Sequence, residues 1–169
     1  MRRWLLGALM GAIGLGAGAV TAPGALAGIF DLPDVDAVVT IDLPDDWKVM
    51  ATPDSLQTVT PDNVEARFVV TSPDAASTLV AALTGGDQKR GVTVDRSSED
   101  RDDRHIAARE AVDVSYRTGG RLPGRLRIVR MELVPGKVLV MSFLGTESAL
   151  DAADATIEGI FNGLKVLDN

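Results

Sequence analysis

Between Asp95 and Glu110 the sequence runs DRSSEDRDDRHIAARE, gathering six carboxylates, four arginines and the chain's only histidine into sixteen residues. Two chemistries are open to such a stretch. Asp95, Glu99, Asp100, Asp102 and Asp103, joined by His105, carry the donors of a cation site, because hard cations take several carboxylate oxygens at once. His105 is also of the residue type most used as a general base, with Ser97, Ser98 and Ser115 near it in sequence as nucleophiles. The spacing argues against both. There is no glycine-turned calcium loop, Arg96, Arg101 and Arg104 stand among the acids as competing charges, and no G-x-S-x-G elbow frames a serine. With no cysteine and one histidine, thiol and zinc-hydrolase chemistries lack their usual ligands. The stretch therefore reads as a solvated inter-strand loop laced with local ion pairs. A hydrolase built on the Asp95–His105 loop, aspartate- or metal-assisted, is the alternative.

The second cluster is RTGGRLPGRLRIVR, in which Arg117, Arg121, Arg125, Arg127 and Arg130 surround Gly119, Gly120 and Gly124. Guanidinium forks on a mobile loop can grip a carboxylate, a phosphate or an acidic partner. The same arginines would also keep the edges of a long β-hairpin soluble. Arg117, Arg121, Arg125 and Arg127 are the candidate binding residues, because they are locally basic on a chain whose net charge is −7. That overall charge opposes nucleic acid and anionic lipid.

The elements that must position these clusters begin after a leader. MRRWLLGALMGAIGLGAGAVTAPGALAG has Arg2 and Arg3 as a basic start, an apolar stretch from Trp4 to Val20, Pro23 as a helix breaker, and Ala25-Leu26-Ala27 as a small-x-small cleavage site. Residues 1–27 are expected to be a cleaved signal peptide, which predicts a periplasmic or extracellular protein. An uncleaved membrane anchor is the alternative, since the apolar stretch approaches the ~20 residues a spanning helix needs. With no cysteine there is no lipid attachment and no disulfide.

Beyond the leader, 46% hydrophobic against 24% charged residues is the balance of a globular domain. Residues 28–37 read as an acidic, flexible lead-in, and 38–169 as a single domain. Val39, Ile41 and Leu43 alternate as a half-buried strand and are ended by the Pro44-Asp45-Asp46 turn, with Trp47 behind it as a cap on the core. Leu56–Thr60 and Val64–Thr71 are strands, the second with Val64, Ala66, Phe68 and Val70 on one face and Glu65 and Arg67 on the other. Ser72, Pro73 and Asp74 open a helix that Gly85-Gly86 closes. GVTVDRS and IAAREAVDVSYRT read as strands, with Glu110 out of phase in the second. GRLRIVRMELVPGKVLVMSFLG reads as a hairpin about Pro135-Gly136, and its second arm, Val138–Leu144, is apolar on both faces and so covered on both. The last element is a helix with Leu150, Ala153, Ile157, Ile160, Phe161 and Leu164 in one stripe and Ser148 and Asp151 as its capping box.

This order, with the IDLPDDW opening, the PGKVLVMSFLGTES strand and the closing IEGIFNGLKV helix, resembles the PsbP-like superfamily over about Val38 to Val166. That superfamily includes extrinsic photosystem subunits, a Ran-binding import factor and many small exported bacterial proteins. The resemblance implies an α+β fold: an antiparallel β-sheet flanked by helices on both faces, an α/β/α sandwich. Several exported relatives look like lipoproteins, which this cysteine-free chain cannot be. The resulting expectation is a non-catalytic, exported binding or accessory protein. It would be a monomer without cofactor or metal, working on an envelope protein or a small anionic ligand.

Overall fold

The computed structural model describes residues 25–26 and 28–167, so most of the leader reading lies outside the described residues. The architecture is α+β: two antiparallel sheets and two helices, with strands predominating. The strands are β1 (Ala25–Leu26), β2 (Ile29–Leu32), β3 (Val39–Asp42), β4 (Lys48–Thr52), β5 (Ser55–Val59), β6 (Glu65–Thr71), β7 (Val92–Ile106), β8 (Arg109–Gly120), β9 (Gly124–Val134), β10 (Lys137–Gly145) and β11 (Lys165–Val166). Helix α1 spans Pro73–Thr84 and α2 spans Glu147–Gly163. The large sheet runs β1-β4-β5-β6-β10-β9-β8-β7, and a small one runs β11-β3-β2. No described helix is long and apolar enough to cross a membrane.

β10 sits at the centre and is buried on both of its faces from Val138 to Phe143, as its unbroken apolar run predicts. Successive side chains of a strand point to opposite sides. Val138 and Val140 accordingly cluster with Ala76, Leu79, Val80 and Leu83 of α1. Leu139, Met141 and Phe143 cluster instead with Leu150, Ala153, Ile157 and Phe161 of α2, together with Val39 and Ile41 of the small sheet. Phe143 meets Phe68 and Phe161 edge-on, at 5.9 Å in each case, the arrangement aromatic quadrupoles favour. Trp47 is buried in the same cluster, where the sequence puts it.

The caps of α1 are those read from the sequence: Ser72 Oγ accepts from the Ala75 amide, Pro73 begins the helix and Gly85 ends it. The α2 cap is different. Thr146, not Ser148, is the N-cap, and its Oγ1 accepts from the Ala149 amide at 3.3 Å. β10 ends at Gly145, so the first residue free to turn is Thr146. Ile29–Leu32, expected as part of a lead-in, pairs with β3 as a strand. Lys48–Thr52, to which the sequence pattern assigns no element after the Pro44-Asp45-Asp46 turn, is a strand between β1 and β5.

The largest correction concerns Asp95–Glu110. It is not an inter-strand loop but most of β7, the outer strand of the large sheet, and the hairpin into β8. Ala107 and Ala108 make the turn with φ of 50° and 60°, a conformation that neither alanine signals. The pairing slips between Asp95 and Asp100, and side chains fill the bulge. Ser97 N–H and Oγ donate to Asp95 Oδ1, Ser98 Oγ donates to the Asp95 carbonyl, and the Arg117 amide donates to Ser98 Oγ at 2.7 Å. Charged side chains along an outer strand deter pairing with another chain, which gives this run a structural reason to exist.

Candidate functional site

The arginine cluster is not one loop. Only Arg121, Leu122 and Pro123 lie between β8 and β9; Arg117 is in β8, and Arg125, Arg127 and Arg130 are in β9. Arg127 is the most engaged of them. Its Nε and Nη2 fork onto Asp113, with Nη2 at 2.6 Å from Oδ2, while Nη2 also reaches Glu158 at 2.8 Å and Nη1 reaches Asp154 at 3.2 Å. Arg104 of β7 meets the same acids, Asp113 at 3.3 Å and Glu158 at 2.9 Å. Both guanidiniums stand over the Phe161 ring, at 5.2 and 5.3 Å from its centroid. The two arginines hold the Glu158 carboxyl down at about 2, Arg104 being the stronger influence. This network binds α2 to the sheet. Arg125 reaches Glu147 and Asp151 at the start of α2, at 3.2 and 3.0 Å. Arg117 is three-quarters exposed and lies 3.6 Å from Asp95. Arg121 is exposed, its side chain lying against Gly91.

The acidic run divides by the same pleat. Arg101, Asp103, His105, Glu110, Arg130 and Glu132 line one open groove of 510 Å³ near Pro73. This is a partial convergence of carboxylates with the histidine, but none of the three candidate nucleophiles lines it. Ser97 and Ser98 are committed to the bulge. Ser115, paired with Asp100, points to the opposite side from His105, which is paired with Glu110. No three His, Asp or Glu side chains among the described residues are grouped to hold a metal ion.

A larger cleft, 740 Å³, opens at the other end of α1. Its floor is made by β4, β5, β6 and β10, and its wall by Leu79, Ala82 and Leu83 of α1 with residues 85–90. Across the floor the register places Met50 beside Gln57, Gln57 beside Arg67, and Arg67 beside Ser142. In the next row Lys48, Val59, Glu65 and Leu144 are neighbours. Glu65 is taken: Arg90 Nη1 donates to its Oε2 at 2.6 Å and Nη2 to its Oε1, which holds the Arg90 pKa above the usual arginine range and ties residues 85–91 to β6. Arg67, half-buried, has no hydrogen-bond or ion-pair partner among the described residues. Neither has the Ser142 hydroxyl, although Ser142 is only 7% exposed. The side-chain atoms among the described residues that are fully buried without a partner lie elsewhere, at Thr58 Oγ1 and Arg125 Nε; Arg67 and Ser142 instead stand side by side in the lining of the open cleft, where a ligand can reach them. Met50 and Val59, 58% and 42% exposed, extend the apolar surface of the cleft outward.

The sequence places Glu65 and Arg67 on the polar face of their strand, but nothing local says that this face borders a cleft or that Arg90 neutralises one and not the other. Those facts depend on the pairing of β6 with β10 and on an ion pair spanning 25 residues.

No protein-family model matches the chain, and no curated protein matches it. Solved structures do. The solution structure of cyanobacterial PsbP (CyanoP) from Synechocystis matches with a TM-score of 0.52 at 9% identity, over 88% of this chain and 98% of that one. The Ran-binding protein Mog1p of Saccharomyces cerevisiae matches at 0.47 and 9% identity, over 84% and 97%. A Pseudomonas aeruginosa protein of unknown function matches at 0.46 and 16% identity, over 86% and 100%. The fold is PsbP-like, as the sequence resemblance implies. At such identities a shared fold carries no activity with it.

Proposed function

We propose that the protein is a non-catalytic binding or accessory protein, exported from the cytoplasm, that takes an anionic ligand in the cleft between α1 and β4–β5–β6–β10. The observation that carries this reading is Arg67 beside Ser142, two polar groups on a partly apolar floor with no partner among the described residues. The cleft volume is within the ~300–1,000 Å³ usual for small-molecule sites. Export is supported by the leader sequence, and cleavage after Ala27 would make Gly28 the first residue found by N-terminal sequencing. An α/β/α sandwich is supported by the division of β10, whose alternate residues join one helix or the other. Arg117 and Arg121, both exposed, are auxiliary contacts for a protein partner in this reading, whereas Arg125 and Arg127 are engaged by the acids of α2 and by Asp113.

The test is native mass spectrometry of the protein recovered by gentle affinity purification from its own cells. Ala82, exposed on α1 and lining the cleft, can be changed to tryptophan to fill the space without entering the core. Wild type should carry a bound small molecule that A82W lacks. The hydrolase alternative would replace this reading if the protein turned over ester, phosphoester or peptide substrates and His105→Ala abolished the turnover.

A further inference from the structure

Resting on the cleft reading, we infer that the ligand is a single-chain amphipathic carboxylate, its head group on Arg67 and Ser142 and its hydrocarbon tail along α1. Three observations converge on that chemistry. The polar floor is a row of donors: Gln57, Arg67 and Ser142 are successive neighbours across three strands, and no acid stands in the row. A guanidinium flanked by an amide and a hydroxyl matches a planar two-oxygen anion, which it can hold with a fork of parallel N–H···O bonds. The surroundings are locally cationic on an acidic chain. Lys48, Arg67, Lys89 and Arg90 line the cleft against two acids, Glu65 and Asp87, while the whole protein carries −7. Glu65, the acid nearest in the strand to Arg67, is already neutralised by Arg90.

Most of the rest of the lining is hydrocarbon, Thr58 and Gln88 excepted. Leu79 and Leu83 of α1 face Val94, Leu126 and Leu144 of the sheet, with Val59 at the mouth. A ligand that was only an anion would leave this surface wet, and one that was only a hydrocarbon would bury Arg67 and Ser142 without partners, which costs more than the unmade bonds gain. A carboxylate with an alkyl chain satisfies both. The overall negative charge disfavours approach to an anionic membrane, so the carboxylate is a free solute and not a lipid held in a bilayer.

The experiment is isothermal titration of the full mature chain with decanoate, octanoate, decan-1-ol and decyltrimethylammonium, each below its micellar concentration, and with phosphatidylglycerol vesicles. Decanoate should bind. Octanoate, two methylenes shorter, should bind about fifteenfold more weakly, because each buried methylene contributes about fourfold. Arg67→Gln should weaken decanoate about ten- to a hundredfold and leave decan-1-ol unchanged, while Ser142→Ala weakens decanoate less. Arg67 has no partner among the described residues, so R67Q should fold, and its melting temperature checks this. Equal binding of decan-1-ol and decanoate, preference for the cation, indifference to R67Q, or preference for the vesicles would overturn the carboxylate assignment while leaving the cleft as a binding site. Failure of every probe, with wild type and A82W also identical by native mass spectrometry, would remove the cleft reading as well.

Discussion

Arg127 grips Asp113 with two guanidinium nitrogens, at 3.0 and 2.6 Å from the same carboxylate oxygen, and the two side chains are only 14% and 10% exposed. An ion pair so far out of water owes its stability to being complete. Removing Arg127 leaves the Asp113 charge buried with only the longer Arg104 contact, at 3.3 Å, to compensate it, and breaking a buried pair in this way costs up to about 3–5 kcal/mol. Arg127→Ala should therefore lower unfolding stability by about 3 kcal/mol in urea titration. Arg125→Ala, whose acidic partners are 60% and 65% exposed, should lose less than about 1 kcal/mol. Similar losses for the two variants would mean that the α2 network is not built as described.

Acid should loosen the same network. Glu158 has its folded pKa lowered from 4.5 to about 2 by Arg104 and Arg127. A depressed carboxylate contributes stability that is fully present above its unfolded value and is lost as pH falls through the folded one. The Glu158 contribution should be whole above about pH 4.5 and should decline toward pH 2. Glu158→Gln should be less stable than wild type at pH 7, and the difference should shrink across that window in thermal melts. A gap independent of pH would contradict it.

The acids of β7 should be dispensable to the fold. Asp100, Asp102 and Asp103 are exposed, and the Arg101–Asp103 pair is 55% and 73% exposed. Changing all three to asparagine should move stability by no more than about 1 kcal/mol. Calorimetry with calcium, magnesium or manganese should show nothing tighter than millimolar. A micromolar site removed by the triple change would restore the cation-site reading of this run.

Gly124 should resist any side chain. A Cβ there would lie 2.1 Å from the Gly145 carbonyl oxygen and 2.7 Å from Thr146 Cα, both backbone atoms that cannot swing aside. Gly124→Ala should cost at least about 1–3 kcal/mol. Gly136, with nothing within 4 Å but a φ of 80°, should suffer from strain and not from crowding.

How legible each element was in the sequence follows from where its partners lie. The α1 caps and the α2 stripe were readable because Ser72, Pro73 and Gly85, or Leu150, Ile157 and Phe161, state their roles within one or a few helical turns. β10 was readable because an apolar run with no alternation needs cover on both sides. β7 was not, since from Asp95 to His105 its residues are mostly solvent-facing and carry no apolar alternation. Its turn at Ala107-Ala108 uses neither glycine nor asparagine. The arginines could be seen as a cluster but not sorted, because the partners of Arg127 are 14 and 31 residues away. The cleft was illegible for the same reason: its donor row crosses three strands.

The central claim is that binding occurs beneath α1 and not on the charged outer strand or the β8–β9 turn. Titration of the isotope-labelled protein with decanoate, followed by backbone amide resonances, tests it most directly. The shifts should concentrate on Gln57, Arg67, Ser142 and the stretch from Leu79 to Gly86, and saturate together with one affinity. Shifts centred on Arg117–Arg121 or on Asp100–His105, with the floor of the cleft silent, would contradict it.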